Sequence, residues 1–349
     1  MSRPFLFTVL YVLFVFLIKK GITMFSLQKS IIPTVSILAL LSFLFVSCGT
    51  SKVLLNVKRP AEINLKGFKK IAIGNITGGE GTHASDISDG ITTRLVQSNS
   101  FEVLDRQNLQ KILDEHQLTM EGLVDPNGSA ELGKFIGSAV LVFGRVQADQ
   151  YKEEVTRDKP WTDKDGGYHQ TVRRSGQYDL SVHLQVVDIQ SSKILGVKDI
   201  PVSNTTQTTA DNREPEQISV DNLYTSALQN ICDNFMKLVA SYDVQVAAEF
   251  ETDKELPEVE NAVAQFKIGE SGEAVKILEG VSKKDFTDPK IKAKAIYNLG
   301  LAQLYSGFYD EASENLKKAY GLNASSRYEA AIQQCKNEKA QADKLKAQQ

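Results

Sequence analysis

Cysteine and tryptophan are scarce in this chain of 349 residues, which contains three cysteines and one tryptophan. So few cysteines exclude a disulfide framework of the kind that stabilises small secreted domains. Cys232 and Cys335 fall in different predicted domains, so we expect separate buried thiols rather than a bridge. The remaining cysteine, Cys48, stands apart because it directly follows a long apolar run.

The chain also lacks an excess of charge of either sign. It has 40 lysine and arginine residues against 43 aspartate and glutamate residues, a formal net charge of −3. Proteins that bind nucleic acid usually carry a clustered basic surface, and no such cluster stands out in this sequence. We therefore expect no nucleic acid partner.

Motifs for catalysis and cofactor binding are missing as well. The four histidines show neither the spacing of metal ligands nor that of a catalytic triad. A Gly-rich segment at 74–81 follows a predicted strand, but it lacks the Lys-Ser/Thr ending of a P-loop and the glycine spacing of a dinucleotide site. The sequence therefore predicts a protein that is not an enzyme, with no cofactor, no metal and no small-molecule substrate.

The N-terminal region contains two apolar runs, 5–18 and 31–46, and the second leads into Ser47-Cys48-Gly49. An apolar run, a small residue and a cysteine resemble the signal peptide of bacterial lipoproteins, in which the cysteine becomes the acylated first residue. Neither run reaches the roughly 20 apolar residues of a membrane-spanning helix. The pattern predicts a signal region over residues 1–47 and lipidation, palmitate included, at Cys48.

Two alternatives remain open for this region. Met24 is followed by a complete short basic segment, Phe25–Lys29, which favours Met24 as the start of translation. A transmembrane helix within residues 1–23 is the other interpretation of the first run, although that run is short for a bilayer. For the second run, the alternative is an ordinary signal peptide or membrane anchor with a coincidental cysteine.

Beyond a predicted lipid tether at 48–65, hydrophobic periodicity predicts an α/β, or more broadly α+β, domain over residues 66–246. Strands are predicted at 69–74, 101–104, 139–144, 178–187 and 194–202. Helices are predicted at 86–96 with Ser85 as the cap, after Asp105, around 130–135, and at 223–238. The strand at 139–144 is apolar on both faces, which indicates the centre of a covered sheet.

The region 247–349 is predicted to be all-α. Gly269, Ala274 and Leu278 recur at Gly307, Ala312 and Leu316, a constant offset of 38 residues, with the helix breaker Asp288-Pro289 between the copies. A repeat of this length built of paired helices is typical of solenoids, and the second copy resembles a tetratricopeptide repeat. Because free-standing arrays need about three repeats, a plain helical hairpin without a binding role is the alternative.

Aromatic residues in both regions are candidates for partner contact. Trp161 and Tyr168 flank Asp163–Gly167, a predicted hairpin tip, although local packing explains these two rings equally well. In the helical region the candidates are Tyr297, Tyr305 and Tyr309.

Several segments of the first domain occur in a specific order and spacing: Lys69–Ile73, Arg94-Leu95, Phe101–Arg106, Leu109–His116, Leu132–Ala139, Leu141–Val146, Val182–Asp188 and Ser191–Leu195. Over about residues 66–240 this order resembles the CsgG family of curli assembly and secretion lipoproteins. The resemblance implies a lipid-anchored protein of the outer membrane that faces the periplasm and serves protein secretion or assembly. Gly49, rather than an aspartate, follows the lipid cysteine and agrees with that address.

Curli-type members of the family form a ring of subunits whose hairpins build a secretion channel, and two features of this sequence depart from them. The loop at 74–84 has no aromatic residue to narrow a channel, and the candidate membrane-crossing segments, 151–177 and 202–218, are rich in charged or polar residues. Charges at the centre of a bilayer are costly. We therefore expect a scaffold that acts through a protein partner or through self-association. A secretion channel and an activator of cell-wall synthesis are the alternatives.

Overall fold

The computed structural model describes residues 49–79, 81–104 and 138–349. The strands in this part are β1 Thr50–Arg59, β2 Lys70–Thr77, β3 Glu102–Leu104, β4 Ala139–Arg157, β5 Trp161–Thr162, β6 Tyr168–His169, β7 Thr171–Asp188, β8 Ile194–Asp211 and β9 Tyr242–Glu251. The helices are α1 Ala84–Ser98, α2 Val220–Val239, α3 Glu258–Lys267, α4 Ser271–Ser282, α5 Pro289–Tyr305, α6 Tyr309–Leu322 and α7 Ser326–Gln348. The signal region, Cys48 and the helices expected after Asp105 and around 130–135 lie outside the described residues.

The main sheet has the strand order β3-β2-β4-β7-β8. The pairs β2–β3 and β2–β4 are parallel, whereas β4–β7 and β7–β8 are antiparallel. Along β4, Val140 and Val142 belong to the same core as α1 and α2, and Leu141 on the opposite face is 1% exposed. The predicted α+β domain and the prediction of a strand buried on both faces are confirmed.

Helices α1 and α2 cover one face of this sheet, as the periodicity predicts. Ile87 and Ile91 of α1 and Phe235 of α2 are completely buried in the shared core. The predicted cap is wrong, because α1 begins at Ala84 with His83 at the N-cap position and without a side-chain capping bond. Ser85 lies within the first turn, where its hydroxyl group contacts Asp86.

Strands β4, β7 and β8 are much longer than the sequence predicts, with 19, 18 and 18 residues. At a rise of about 3.3 Å per residue, an 18-residue strand is about 60 Å long. The apolar pattern marked only the half of each strand that belongs to the core. The polar half, named here the sheet extension, comprises residues 152–157, 171–177 and 205–211, and it continues the same strand pairing.

The predicted tether at 48–65 contains a ten-residue strand. Strand β1 pairs antiparallel with β9 along its whole length, from Thr50 opposite Glu251 to Arg59 opposite Tyr242. This two-stranded element, named here the ribbon, packs its buried side chains into the core of the helical region, with Val53 of β1 only 2% exposed. The expectation of a loose tether is therefore wrong for residues 50–59, because their pairing partner lies far along the chain.

The helical region consists of two hairpins, α3–α4 and α5–α6, followed by α7. Both hairpins turn at a glycine in the left-handed region, Gly269 with φ +88° and Gly307 with φ +85°, at the predicted offset. Asp288 caps α5 by accepting a hydrogen bond from the backbone N–H of Lys290, and Pro289 is the first helical residue. The paired helices are confirmed, while the assignment to the tetratricopeptide family stays a prediction.

Close packing inside the second hairpin depends on a small residue. A methyl group at Gly300 would lie 2.9 Å from Cγ of Leu316, so α5 and α6 approach each other closely at this point. Leu316 and Ala312 are completely buried, as are their counterparts Leu278 and Ala274 in the first hairpin. The repeat therefore reflects equivalent packing positions.

An ion pair that is shielded from solvent joins the ribbon to α7. Arg59 donates two hydrogen bonds, of 2.6 and 2.7 Å, to the two carboxylate oxygens of Glu338, and the two side chains are 15% and 10% exposed. The hydrogen bonds to Glu338 outweigh partial burial and hold the pKa of Arg59 above its ordinary value.

Glu338→Gln is predicted to lower the free energy of unfolding by about 1–3 kcal/mol, because it leaves the Arg59 charge shielded from water without its counter-charge. Urea denaturation followed by far-UV circular dichroism measures the change. Glu314→Gln is the matched control, since Glu314 forms an exposed pair with Lys318 one helical turn away. Exposed pairs contribute little, so equal effects of the two substitutions would contradict the role given to the shielded pair.

Candidate functional site

The tip of the sheet extension, residues 158–170, carries the small β5–β6 hairpin. Asp163 organises its turn, since one carboxylate oxygen accepts hydrogen bonds from the backbone N–H groups of Asp165, at 2.9 Å, and Gly167, at 2.6 Å. Gly166 has φ +84°, a conformation that side chains disfavour. The structure thus has a tight turn where the sequence predicts one.

Trp161 and Tyr168 are exposed at this tip, with 55% and 56% of their surface accessible. The indole ring of Trp161 stacks on His169, with 4.5 Å between ring centroids. One face of Trp161 therefore has a local partner, while much of the ring lies in solvent. Contact of these two residues with another protein stays a prediction.

His169 fastens the tip to the end of β8. Its Nδ1 lies 2.7 Å from a carboxylate oxygen of Asp211, and its Nε2 lies 3.0 Å from one of Asp163. The hydrogen bonds to Asp211 and then to Asp163 favour the charged imidazole and raise the pKa of His169. Sequence reasoning considered this histidine only as a metal or triad residue, because strand register alone brings Asp211 beside it.

Several charged side chains of the sheet extension form ion pairs with one another or with neighbouring residues. Arg174 contacts both Glu153 and Glu214, and Glu214 also pairs with Arg157. The Tyr151 hydroxyl group donates to Glu153 at 2.7 Å. Several of the charged residues that depart from the curli-type pattern therefore have cross-strand partners, and Arg174 with Glu153 is the most shielded of these pairs.

A buried polar network holds the loop before α1 against the sheet. The side chain of Asp149 is 2% exposed, and it accepts hydrogen bonds from the backbone N–H of His83 at 2.7 Å and the hydroxyl group of Tyr178 at 2.6 Å. The ring Nδ1 of His83 lies 3.0 Å from the same carboxylate. Burial raises the pKa of Asp149, but the bonds from Tyr178 and His83 outweigh burial and lower it overall.

This network is extended by Tyr224 of α2, whose ring lies 4.2 Å from the His83 ring and whose hydroxyl group donates to Asp86 at 2.8 Å. The polar groups are engaged with each other. The network thus joins the start of α1 to β4, β7 and α2. No sequence pattern indicates this network, because Asp149 resembles the other polar residues around it.

The aromatic candidates of the helical region lie in packing contacts. Tyr297 is 3% exposed and stacks on Tyr328, with 4.6 Å between ring centroids. The prediction that its ring is available to a partner is therefore wrong, because the ring is buried. Tyr305 and Tyr309 are partly buried against the same core, and Tyr305 accepts a hydrogen bond from Gln334 at 2.6 Å. The ribbon and α7 cover the helix surface on which these tyrosines lie, and the repeat pattern alone does not predict that cover.

A buried amide on α5 binds the backbone of the ribbon. Asn298, which is completely buried, accepts a hydrogen bond from the N–H of Glu251 at 2.8 Å and donates one to its carbonyl group at 2.7 Å. The hydroxyl group of Tyr328 donates to the Glu251 side chain at 2.7 Å. The face of the helices that an extended peptide could use is therefore occupied at this point by the protein's own β9.

Cys232 and Cys335 are buried free thiols, as expected. Burial raises the pKa of Cys232 to about 11, which keeps the thiol protonated. Within the described ranges, no helix combines the length and apolar character needed to cross a bilayer. The same ranges hold no group of three or more His, Cys, Asp or Glu side chains arranged for a metal ion.

Comparison with protein families gives a match over residues 66–213 to the family described as curli production assembly/transport component CsgG. The match runs from before β2 to just after β8, and it ends before α2, β9 and the helical region. The similarity to this family therefore covers the main sheet and α1 and leaves out the ribbon's second strand and the helices after it. The comparison with curated proteins gave no match.

Some solved structures are similar at low identity. A PelC dodecamer from Paraburkholderia phytofirmans has 14% identity and a TM-score of 0.26, over 54% of this chain and 99% of the other. Lipoprotein GNA1162 from Neisseria meningitidis has 9% identity and a TM-score of 0.29, over 48% and 96%. The LpoB C-terminal domain from Salmonella enterica has 9% identity and a TM-score of 0.26, over 40% and 84%. At these TM-scores the similarities carry no argument about assembly or function.

The fluorescence of Trp161, the single tryptophan, is predicted to report the titration of His169 in the stacked pair. Because the pKa of His169 is raised, pairing with Asp211 and Asp163 is complete below about pH 6.5, the value of free histidine, and is lost as pH rises through the higher folded value. Emission measured against pH should therefore change with a midpoint above about 6.5.

Asp211→Asn should move this midpoint to lower pH, because it removes the stronger of the two partners. Asp165→Asn is the control, since the Asp165 side chain belongs to the same turn but is not a partner of His169. A midpoint that is unchanged in Asp211→Asn, or that moves equally in both variants, contradicts the arrangement.

Proposed function

We propose that this protein is a lipid-anchored protein of the outer membrane that faces the periplasm and acts in assembly or secretion through protein contacts. The observation that carries the proposal is the match of residues 66–213 to the CsgG family of curli production assembly/transport components. The α+β sheet domain agrees with it. Lipidation at Cys48 is part of the proposal and rests on the sequence pattern before it.

The sheet extension supports a scaffold rather than a secretion channel. Its side chains form ion pairs among Arg174, Glu153, Arg157 and the nearby Glu214, and it lacks the alternating apolar residues of a lipid-facing strand. The exposed rings of Trp161 and Tyr168 give the tip a surface for a protein partner.

A role without catalysis is part of the same proposal. Two polar clusters, around Asp149 and around His169, contain the residue types of catalytic sites. Their hydrogen bonds connect elements of the fold to one another. The proposed function accordingly includes no cofactor, metal or small-molecule substrate.

Replacing Cys48 with serine tests the anchor. The thiol is the acylated atom in the proposal, so Cys48→Ser is expected to remove the acyl mass and release the protein from the membrane fraction. Mass spectrometry of the N-terminal peptide and fractionation of cells measure both changes. Cys335→Ser is the matched control, because this thiol is buried, and it should retain both. Persistent acylation or membrane retention in Cys48→Ser overturns the anchor.

Light scattering and negative-stain imaging of the acylated protein in mild detergent test the scaffold. We expect a monomer or small oligomer without a membrane-embedded channel, because the extension's surface is polar and ion-paired. A closed ring of many subunits with an embedded channel would replace the scaffold with the secretion-channel alternative.

A further inference from the structure

The tip lies at one end of the sheet domain, and the chain that follows β1 joins the sheet at the opposite end. Strand β7 leaves the tip at Thr171 and ends at Asp188, and β8 begins near this far end. The chain that continues from β1 lies there too. A methyl group on Gly196 of β8 would collide with Ile63, and Lys198 pairs with Glu62 at 2.5 Å. The ribbon therefore joins the sheet domain at the end remote from the tip.

From this junction the ribbon leads toward Gly49. Its ten paired residues span about 33 Å at the rise of a β-strand. Its buried side chains, among them Val53 and Phe250, pack in the helical core and are separate from the core of the sheet domain. At the junction, the side-chain amide of Gln348 near the end of α7 binds both the N–H and the carbonyl group of Ala61, at 2.9 and 2.8 Å.

Helix α7 stiffens the ribbon along its length. Tyr328 contacts Glu251 at the Thr50 end, Glu338 pairs with Arg59 at the other end, and Gln348 reaches Ala61 beyond it. The ten residues from Tyr328 to Glu338 cover about 15 Å of helix, and the ten from Glu338 to Gln348 cover about 15 Å more and extend the contact past the ribbon to the junction. A strand pair alone is weak, but one braced by a helix at both ends is a firm element.

The strand pairing of the ribbon continues up to the residue that follows Cys48. The N–H of Thr252 donates to the carbonyl group of Gly49 at 2.9 Å, so the ladder extends beyond Thr50. Gly49 is the residue that follows the proposed lipid attachment. The strand pairing therefore begins at the residue that directly follows the proposed lipid attachment.

We infer that the ribbon and α7 form a rigid spacer, which directs the tip away from the bilayer that holds the lipid. The inference rests on the proposed lipidation of Cys48. About 50 Å of β7 separates the tip from the junction at Val186, and the ribbon, which packs on the helices and not on the sheet, adds about 33 Å. Trp161 and Tyr168 are thereby presented to a protein in the aqueous space. They are not presented to the anchoring membrane.

Trp161 is itself the probe for this geometry, because it is the single tryptophan and lies in the tip. The acylated full-chain product is reconstituted into phosphatidylcholine vesicles, with and without brominated acyl chains that quench tryptophan emission on contact. We expect Trp161 to show no loss of emission and no blue shift. The control combines Trp161→Phe with Thr50→Trp, which moves the tryptophan to an exposed site beside the anchor and should lose emission in brominated vesicles.

Each remaining outcome decides the matter. Quenching of Trp161 in a protein whose mass shows the acyl group places the tip in the anchoring bilayer and overturns the spacer, while the proposed anchor stands. An unquenched Thr50→Trp in the acylated protein also overturns it, because the ribbon then does not begin at the membrane. A mass without acyl chains on Cys48 overturns the proposed anchor, and the spacer with it.

Discussion

The pairing of β1 with β9 is the interaction on which the rest of the architecture depends. It connects the segment that precedes the sheet domain to the segment that follows it, and so it closes the domain. It also gives the helices something to pack on. Two helical hairpins bury too little surface to be stable alone, and here Val53 and Phe250 of the ribbon complete their core. The helical region is therefore best understood as a brace for a strand pair, with Asn298 binding the strand's backbone.

The sheet domain solves a different problem, which is how three strands continue far beyond their apolar core. Within the core, burial between α1, α2 and the sheet stabilises β4, β7 and β8. In the sheet extension the backbone pairing of the three strands continues, and cross-strand ion pairs such as Arg174 with Glu153 accompany it. The His169 bridge between Asp163 and Asp211 then ties the tip to the last strand. Outside the core, polar side chains thus connect the strands, as apolar side chains do inside it.

The elements that sequence patterns predicted are those whose side chains are sorted by burial. Helices α1 and α2, the apolar halves of the strands and the 38-residue repeat of the hairpins all follow from such sorting. Strand β1 was not predicted because its pairing partner lies at the other end of the domain. The sheet extension was not predicted because most of its residues are polar, so no apolar alternation marks its strands. Tyr297 was proposed as a partner contact for a related reason, since Tyr328 of α7 and Glu249 of the ribbon, which contact it, are distant in sequence. The tip turn was predictable from Asp163 and its glycines, whereas the bond between His169 and Asp211 depends on strand register.

Strand β1 also determines the path of a pulling force through the protein. A force that pulls on Gly49 and on the tip runs along the covalent backbone of β1 into residues 60–65 and the sheet, while β9 and the helices stand beside that path. A β-strand is already extended to about 3.3 Å per residue, close to the limit of about 3.3–3.6 Å for a stretched chain. This part of the linkage is therefore nearly inextensible, so under the proposed lipidation of Cys48 a pull on the tip would reach the anchor with little lengthening of β1.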